Sequence, residues 1–202
     1  MLGWIGIPAV TGTGSTNKAF VPETVFSRSG APPAPCPPTW PTAGYRVTGL
    51  DRSSNMNRRA RHDHPHLDLS VGDATLLPYD NNAFDAVVAA SVINVVADAE
   101  AVLSEMHRVC APAGTVSVLV PSTDFTDEDL DALIETRGLT GFSQAALTKW
   151  HRSAPKTSRS HLETLFRKVE LEPAITHSYL DGMLIAATAP ARSRSTRVRF
   201  PT

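Results

Sequence analysis

Two short apolar runs, Phe84-Asp85-Ala86-Val87-Val88-Ala89-Ala90 and Thr115-Val116-Ser117-Val118-Leu119-Val120, constrain this chain more than any other feature. A strand with little polar alternation is covered on both faces, the condition of an inner strand in a parallel sheet. Between the two runs, Ala101, Val102, Glu105, Met106 and Val109 recur at three- and four-residue spacing and predict a helix. Asp98 stands where a cap is needed, and Pro112-Ala113-Gly114 is read as the stop. Upstream, Tyr45 to Leu50 reads as a strand stopping at Asp51, Ser53 to Arg61 as a helix, and Leu67 to Val71 as a strand ending at Gly72-Asp73-Ala74. Strict alternation of strand and helix predicts right-handed crossovers and an α/β fold with a doubly wound, mostly parallel sheet. Ligands of such sheets sit beyond the carboxyl ends of the strands, near the switch in strand order. That rule sets Asp51, Asp73 and Ala90-Ser91 along one rim.

The rest of the chain is organised around this block. Residues 1–44 are rich in Gly, Thr, Ser and Pro and read as an irregular segment, with a first strand ending at Val25-Phe26. The domain is placed at 45–189, with a helical insert at 123–155 and two final strands within 171–189. In the insert, Asp124, Thr126 and Asp127 open a helix that ends at Gly138, and a second helix runs from Phe142 to Arg152. Phe142, Leu147 and Trp150 are read there as core, with pocket lining as the alternative. Thr157 or Ser158 caps a further helix through Val169. Pro190 to Thr202 alternates Arg and Ser without an apolar face and reads as a disordered tail.

Composition narrows the partners. Nineteen basic side chains against 20 acidic ones give a net charge of -1, which supplies no general attraction for nucleic acid or an anionic membrane. No window approaches the roughly 18 apolar residues of a membrane span, and the amino terminus lacks the basic leader of a secretory signal. Cys36 and Cys110 lie in unrelated contexts, so neither a disulfide framework nor a metal site is expected, and the cytoplasm fits. The sequence carries no reading of oligomeric state.

Three segments carry a resemblance. Gly72-Asp73-Ala74-Thr75-Leu76-Leu77-Pro78, followed by a polar turn and Phe84-Asp85-Ala86-Val87-Val88, is similar to a stretch shared by class I S-adenosylmethionine (SAM) methyltransferases acting on small molecules. Glu105-Met106-His107-Arg108-Val109-Cys110-Ala111-Pro112-Ala113-Gly114 resembles the helix end of that family, and Gly44 to Asp51 resembles its second strand. The resemblance covers roughly residues 44 to 122. It implies a Rossmann-like fold, SAM as cofactor and a small-molecule methyl acceptor. It further implies that Asp51 accepts hydrogen bonds from the ribose hydroxyls while Arg52 and Ser53 line the adenine side. Asp73 would accept from the adenine amino group and Ala74 would present its backbone NH to the ring. Ala90 and Ser91 would lie under the methionine portion, and Asn94 and Val95 would face an entering acceptor. For each Asp the competing reading is a structural cap. No catalytic side chain is nominated, because the sulfonium already carries the activation and the protein mainly aligns the reactants. His151 and His177 are read as surface histidines, with a base for a hydroxyl acceptor as the alternative.

One expected piece is missing. The family needs a glycine-rich turn after its first strand, roughly 20 residues before the ribose acid. Residues 27–42 instead read Ser-Arg-Ser-Gly-Ala-Pro-Pro-Ala-Pro-Cys-Pro-Pro-Thr-Trp-Pro-Thr, and proline supplies no amides for such a loop. Gly12 and Gly14 lie too early to replace it. Shifted by two bases, the codons admit a Gly-x-x-x-Gly turn opening an amphipathic helix. A local frameshift over about residues 27–42 is therefore one reading, and a genuine Pro-rich loop the other. The chain is accordingly read as a SAM-dependent methyltransferase, with a non-catalytic methyltransferase-like binding protein as the alternative. His62-Asp63-His64-Pro65-His66 is read as a solvated loop rather than a metal cluster.

Overall fold

The computed structural model describes residues 18–22, 46–63, 65 and 68–191, with backbone alone at 18–22, 46–47 and 63. Strands β1 (Lys18–Pro22), β2 (Arg46–Asp51), β3 (Asp68–Val71), β4 (Phe84–Ala90), β5 (Cys110–Pro121), β6 (Ile175–Tyr179) and β7 (Leu184–Pro190) form one sheet. Their order is β3-β2-β1-β4-β5-β7-β6. Only β7 runs against the others, antiparallel to both β5 and β6. The remaining elements are α1 (Ser54–Asp63), α2 (Ala99–Val109), α3 (Asp127–Thr136), α4 (Gly141–Ser153) and α5 (Arg159–Lys168). Strand order reverses between β1 and β4, which pair directly through Ala19 with Ala86 and Phe20 with Val87. A crevice forms where successive connections leave in opposite directions, so this junction fixes where a ligand fits. No helix among the described residues is long and apolar enough to cross a membrane.

The inner strands are buried as their composition requires. Val87, Ala89, Val116, Val118 and Val120 are all fully enclosed. Val102, Leu103 and Met106 of α2 and Leu162, Leu165 and Phe166 of α5 join them in the main core. A second cluster of Phe125, Leu130, Leu133, Ile134 and Met183 lies under the insert, with Leu147 and Trp150 packed against it. Phe142, expected in the core, is instead 71 % exposed. It stands one residue into α4, where the helix has just left Gly141.

The caps follow the sequence closely. Asp98 accepts the Ala101 amide at 2.8 Å and opens α2. Thr126 and Asp129 form a reciprocal capping box at the start of α3. Ser158, rather than Thr157, caps α5 by accepting the His161 amide at 3.2 Å. Gly138 leaves α3 at φ 60°, donating to Glu135 while Leu139 donates back to Ile134.

Two boundaries differ from the sequence reading. The stretch read as irregular contributes the central strand β1, and its expected end at Val25-Phe26 lies outside the described residues. Strand β5 begins at Cys110, ahead of the expected Thr115. Ala113 takes φ 67°, and Phe84 pairs with Cys110 before the register shifts. The sheet also continues past the expected start of the tail: Ala113 donates to the Ala191 carbonyl and Ala191 to that of Gly114, both at 2.8 Å. Gly114 is required here, since a Cβ would meet the Asp85 carbonyl at 2.7 Å and the Cys110 sulfur at 2.8 Å. Cys110 itself is buried, and its thiol is pushed up to about 12 by burial and by the negative charge of Asp85.

Candidate functional site

The rim is built from strand tips. Asp51 is the last residue of β2 and pairs in register with Val71, the last of β3. The Gly72 amide then donates to the Asp51 carbonyl at 3.2 Å, so the two strand ends are fastened together. Gly72 leaves room for Leu50, whose Cδ1 would lie 2.7 Å from any added Cβ. Asp73, two residues beyond β3, thus emerges beside Asp51 on the same edge of the sheet.

Asp51 is nearly enclosed, at 4 % exposure. Its Oδ1 accepts the Ser53 amide at 2.7 Å, and Ser53 Oγ accepts the Met56 amide at 3.3 Å, turning the chain into α1. Burial raises the Asp51 carboxyl above its ordinary range, opposed by the Ser53 amide and the charge of Arg52. The capping role is therefore realised at one oxygen. Asn57 was not anticipated: it is 2 % exposed, and its Nδ2 donates to the carbonyls of Asp51 at 2.9 Å and Ser53 at 3.2 Å. Only its spacing from the acid, one and a half turns into a helix, hints at this.

Asp73 has the opposite environment. It is exposed, and its Oδ1 accepts from the Thr75 amide at 2.9 Å and the Thr75 hydroxyl at 2.8 Å. Those two bonds hold its carboxyl below the ordinary range, with Arg52 helping by its charge. Arg52 thus acts on both acids. Ala74 follows in the turn, partly buried.

Across the switch in strand order, Ala90 ends β4 and Ser91 takes φ 51° while donating its amide to Leu119 at 2.6 Å. A left-handed serine costs about 1 kcal/mol or more and is tolerated where the surroundings enforce it. Here the next residues, Val92 and Ile93, are buried at 1 % and 5 % and pin the turn. Asp51, Arg52, Asp73 and Ala74 therefore share one flank of the carboxyl edge, and Ala90-Ser91 stand on the other side of β1. The loop leaving β1 and residues 27–42, including the expected glycine turn, lie outside the described residues, as do His64 and His66.

The two further signature segments meet through side chains. Arg108 donates from Nη2 to the Leu77 carbonyl and from Nη1 to the Tyr79 carbonyl and Asn81 Oδ1, at 2.8–2.9 Å. Glu105 accepts from Arg108 and from the Leu77 amide, the latter at 2.8 Å. This pair clamps the turn between β3 and β4 onto α2.

Of the two histidines, His177 is exposed on β6. His151 is not a surface residue: it is 3 % exposed and stacks edge-on against Phe125. Its Nε2 lies 3.1 Å from Lys156 Nζ and 3.3 Å from Asp127 Oδ1. Burial, then the Lys156 charge, lowers its affinity for a proton, so the neutral ring is favoured.

Comparison with known proteins points the same way. The model of the methyltransferase domain family matches residues 33–118. Demethylmenaquinone methyltransferase of Streptomyces avermitilis is 41 % identical over 76 residues, 38 % of this chain and 33 % of that protein. Phosphatidylethanolamine N-methyltransferase of Cereibacter sphaeroides is 39 % identical over 79 residues, 36 % of this chain and 39 % of that protein. The matches thus span little more than a third of those relatives' length. Among solved structures, the CMeT domain of the citrinin polyketide synthase superposes with a TM-score of 0.61 at 13 % identity, covering 90 % of this chain and 48 % of that one. A SAM-dependent methyltransferase of Thermotoga maritima gives 0.56 at 17 % identity, covering 89 % and 84 %.

Proposed function

We propose that this chain, which carries a class I SAM-dependent methyltransferase domain and has that family's fold, binds SAM along the rim from Asp51 to Ser91 and methylates a small molecule. The observation that carries this reading is the pairing of two differently tuned acids at adjoining strand tips. Asp51, enclosed and with one oxygen engaged by Ser53, suits the two vicinal hydroxyls of a ribose. Asp73, exposed and held ionised by Thr75, suits an exocyclic amino group. The Ala74 amide would read a ring nitrogen, and Arg52 would lie along the adenine edge. The left-handed turn at Ser91 brings backbone to the crevice from the β4 side, under the methionine portion.

SAM supplies a methyl group already activated on a sulfonium. The chain's own residues then need only hold the cofactor, orient the acceptor and limit water, which fits the lack of a nominated acid or base on the rim. The acceptor is read as a small molecule. The named relatives act on demethylmenaquinone and on phosphatidylethanolamine.

A second reading has its own observation. Residues 27–42 hold a Pro-rich stretch where backbone amides would be needed, which favours a methyltransferase-like protein that binds a ligand without catalysis. Calorimetric titration separates the two. SAM binding that weakens in Asp51→Asn supports the enzyme; absence of heat and of any thermal shift with SAM supports the module.

A further inference from the structure

A second recess opens on the carboxyl edge, beyond β4 and β5 and beside the start of α5. Its volume is about 470 Å³, and Asn94, Thr123, Lys156, Thr157, Ser158 and His161 line it together with Ile93. The walls are polar, and among the described residues they hold no carboxylate. Two backbone bonds fix its geometry: Thr157 donates to the Pro121 carbonyl at 2.9 Å, and Thr123 to the Thr157 carbonyl at 3.2 Å.

Three features define what would fit. Asn94 Nδ2 donates to the Pro155 carbonyl at 2.8 Å, which orients the amide and leaves Oδ1 buried with no hydrogen-bond partner. A buried acceptor left unpaired is costly, so this atom calls for an OH or NH from a ligand. Lys156 contributes a cation 3.1 Å from His151 Nε2, a nitrogen that also lies 3.3 Å from Asp127 Oδ1; an ammonium has three protons, so at least two are left for a second partner. Helix α5 starts at this recess, which Ser158 and His161 line: Ser158 satisfies the His161 amide, and the amides of Arg159 and Ser160 have no carbonyl within the helix to bond.

We infer that this recess is the acceptor site and that it takes a small molecule carrying both an anionic group, held by Lys156 and the start of α5, and an OH or NH donor directed at Asn94 Oδ1. The inference rests on the methyltransferase reading for the word acceptor, but the recess and its chemistry do not. A polar, cation-bearing recess disfavours an extended apolar quinone ring or acyl chain, which would leave Lys156 and Asn94 unpaired.

The test is nuclear magnetic resonance titration of the full chain with 4-hydroxybenzoate, its methyl ester and menadiol, each with and without SAM. The expected result is that 4-hydroxybenzoate shifts the Asn94 side-chain amide and the Arg159 and Ser160 amides. The ester and menadiol should bind at least tenfold more weakly. Lys156→Met should weaken the acid at least tenfold and leave the ester unchanged, while Lys156→Arg retains most of the affinity. Asn94→Asp, which sets a carboxylate before the ligand, should abolish binding with the circular dichroism spectrum intact. Preference for menadiol, equal binding of acid and ester, or indifference to both substitutions overturns the proposal. SAM binding with no acid binding removes the recess and leaves the methyltransferase reading standing; acid binding without SAM binding does the reverse.

Discussion

Asp51, proposed above as the ribose contact, is held at a cost to the fold. Burial raises its carboxyl above the ordinary range, so the native state binds this proton more tightly than the unfolded chain. Its contribution to stability is therefore greatest below the ordinary carboxylate range and is lost as pH rises through the raised native value. Asp51→Asn keeps an oxygen for the Ser53 amide but cannot ionise. We expect it to melt at the same or a higher temperature than the native chain at pH 7, the difference shrinking as the pH falls below the carboxylate range. Loss of charge-assisted bonds to ribose hydroxyls, about 1.5–3 kcal/mol, should weaken SAM binding roughly 10- to 100-fold. Calorimetry at pH 7 and melting curves across pH 3–8 check both halves (the pH range being about that of carboxylate titration). A substitution that leaves SAM affinity unchanged would remove Asp51 from the site. Strand-tip residues of this kind are legible in sequence because position alone exposes them. Asn57 is not, since it serves a turn behind it; Asn94 is named by the resemblance, but the bond that orients its amide comes from Pro155, in a distant part of the chain.

At the scale of elements, local signals and distant partners divide the credit. The caps at Asp98, Thr126 and Ser158 lie within three residues of what they bind, so pattern reading finds them. Strand β1 is short and meets a proline at its end; its pairing with β2 and β4 depends on residues far along the chain. The start of β5 was hidden for a similar reason, because Pro112-Ala113-Gly114 resembles a helix stop until Ala191 arrives to bond it. Two substitutions probe these joints. Gly114→Ala forces a Cβ against the Asp85 and Ala111 carbonyls and should destabilise the chain by about 1–3 kcal/mol in urea unfolding. Arg108→Met leaves the Leu77 and Tyr79 carbonyls without their guanidinium and should cost about 2 kcal/mol. Because Arg108 does not reach the rim, SAM affinity per folded molecule should change little. A large loss of affinity in fully folded protein would show that the clamp also shapes the cofactor side.

The whole molecule combines a complete sheet order with an altered approach to it. Strand order and crossovers are those of the methyltransferase fold, yet the stretch following β1 is rich in proline where the proposed cofactor site would need bare backbone. We expect the chain as written to bind SAM weakly. Replacing residues 27–42 by the Gly-x-x-x-Gly turn and helix that the shifted reading frame admits should raise affinity at least tenfold, measured by the same titration. Nucleotide sequencing across codons 20–50 provides the companion check: an unbroken frame without compensating insertions or deletions removes the frameshift explanation and makes the proline stretch a property of the protein.

Cys110 lies at the seam between α2 and β5, enclosed, protonated and within contact range of the Gly114 backbone. Thiol reagents attack the anion and need a path to it, so this sulfur should stay silent while the sheet is closed. Alkylation at Cys110, followed by peptide mapping to separate it from Cys36, would then register each occasion on which the edge near Phe84 opens. The chain carries a chemical clock for its own unfolding, set at the one joint among the described residues where a helix becomes a strand without a loop.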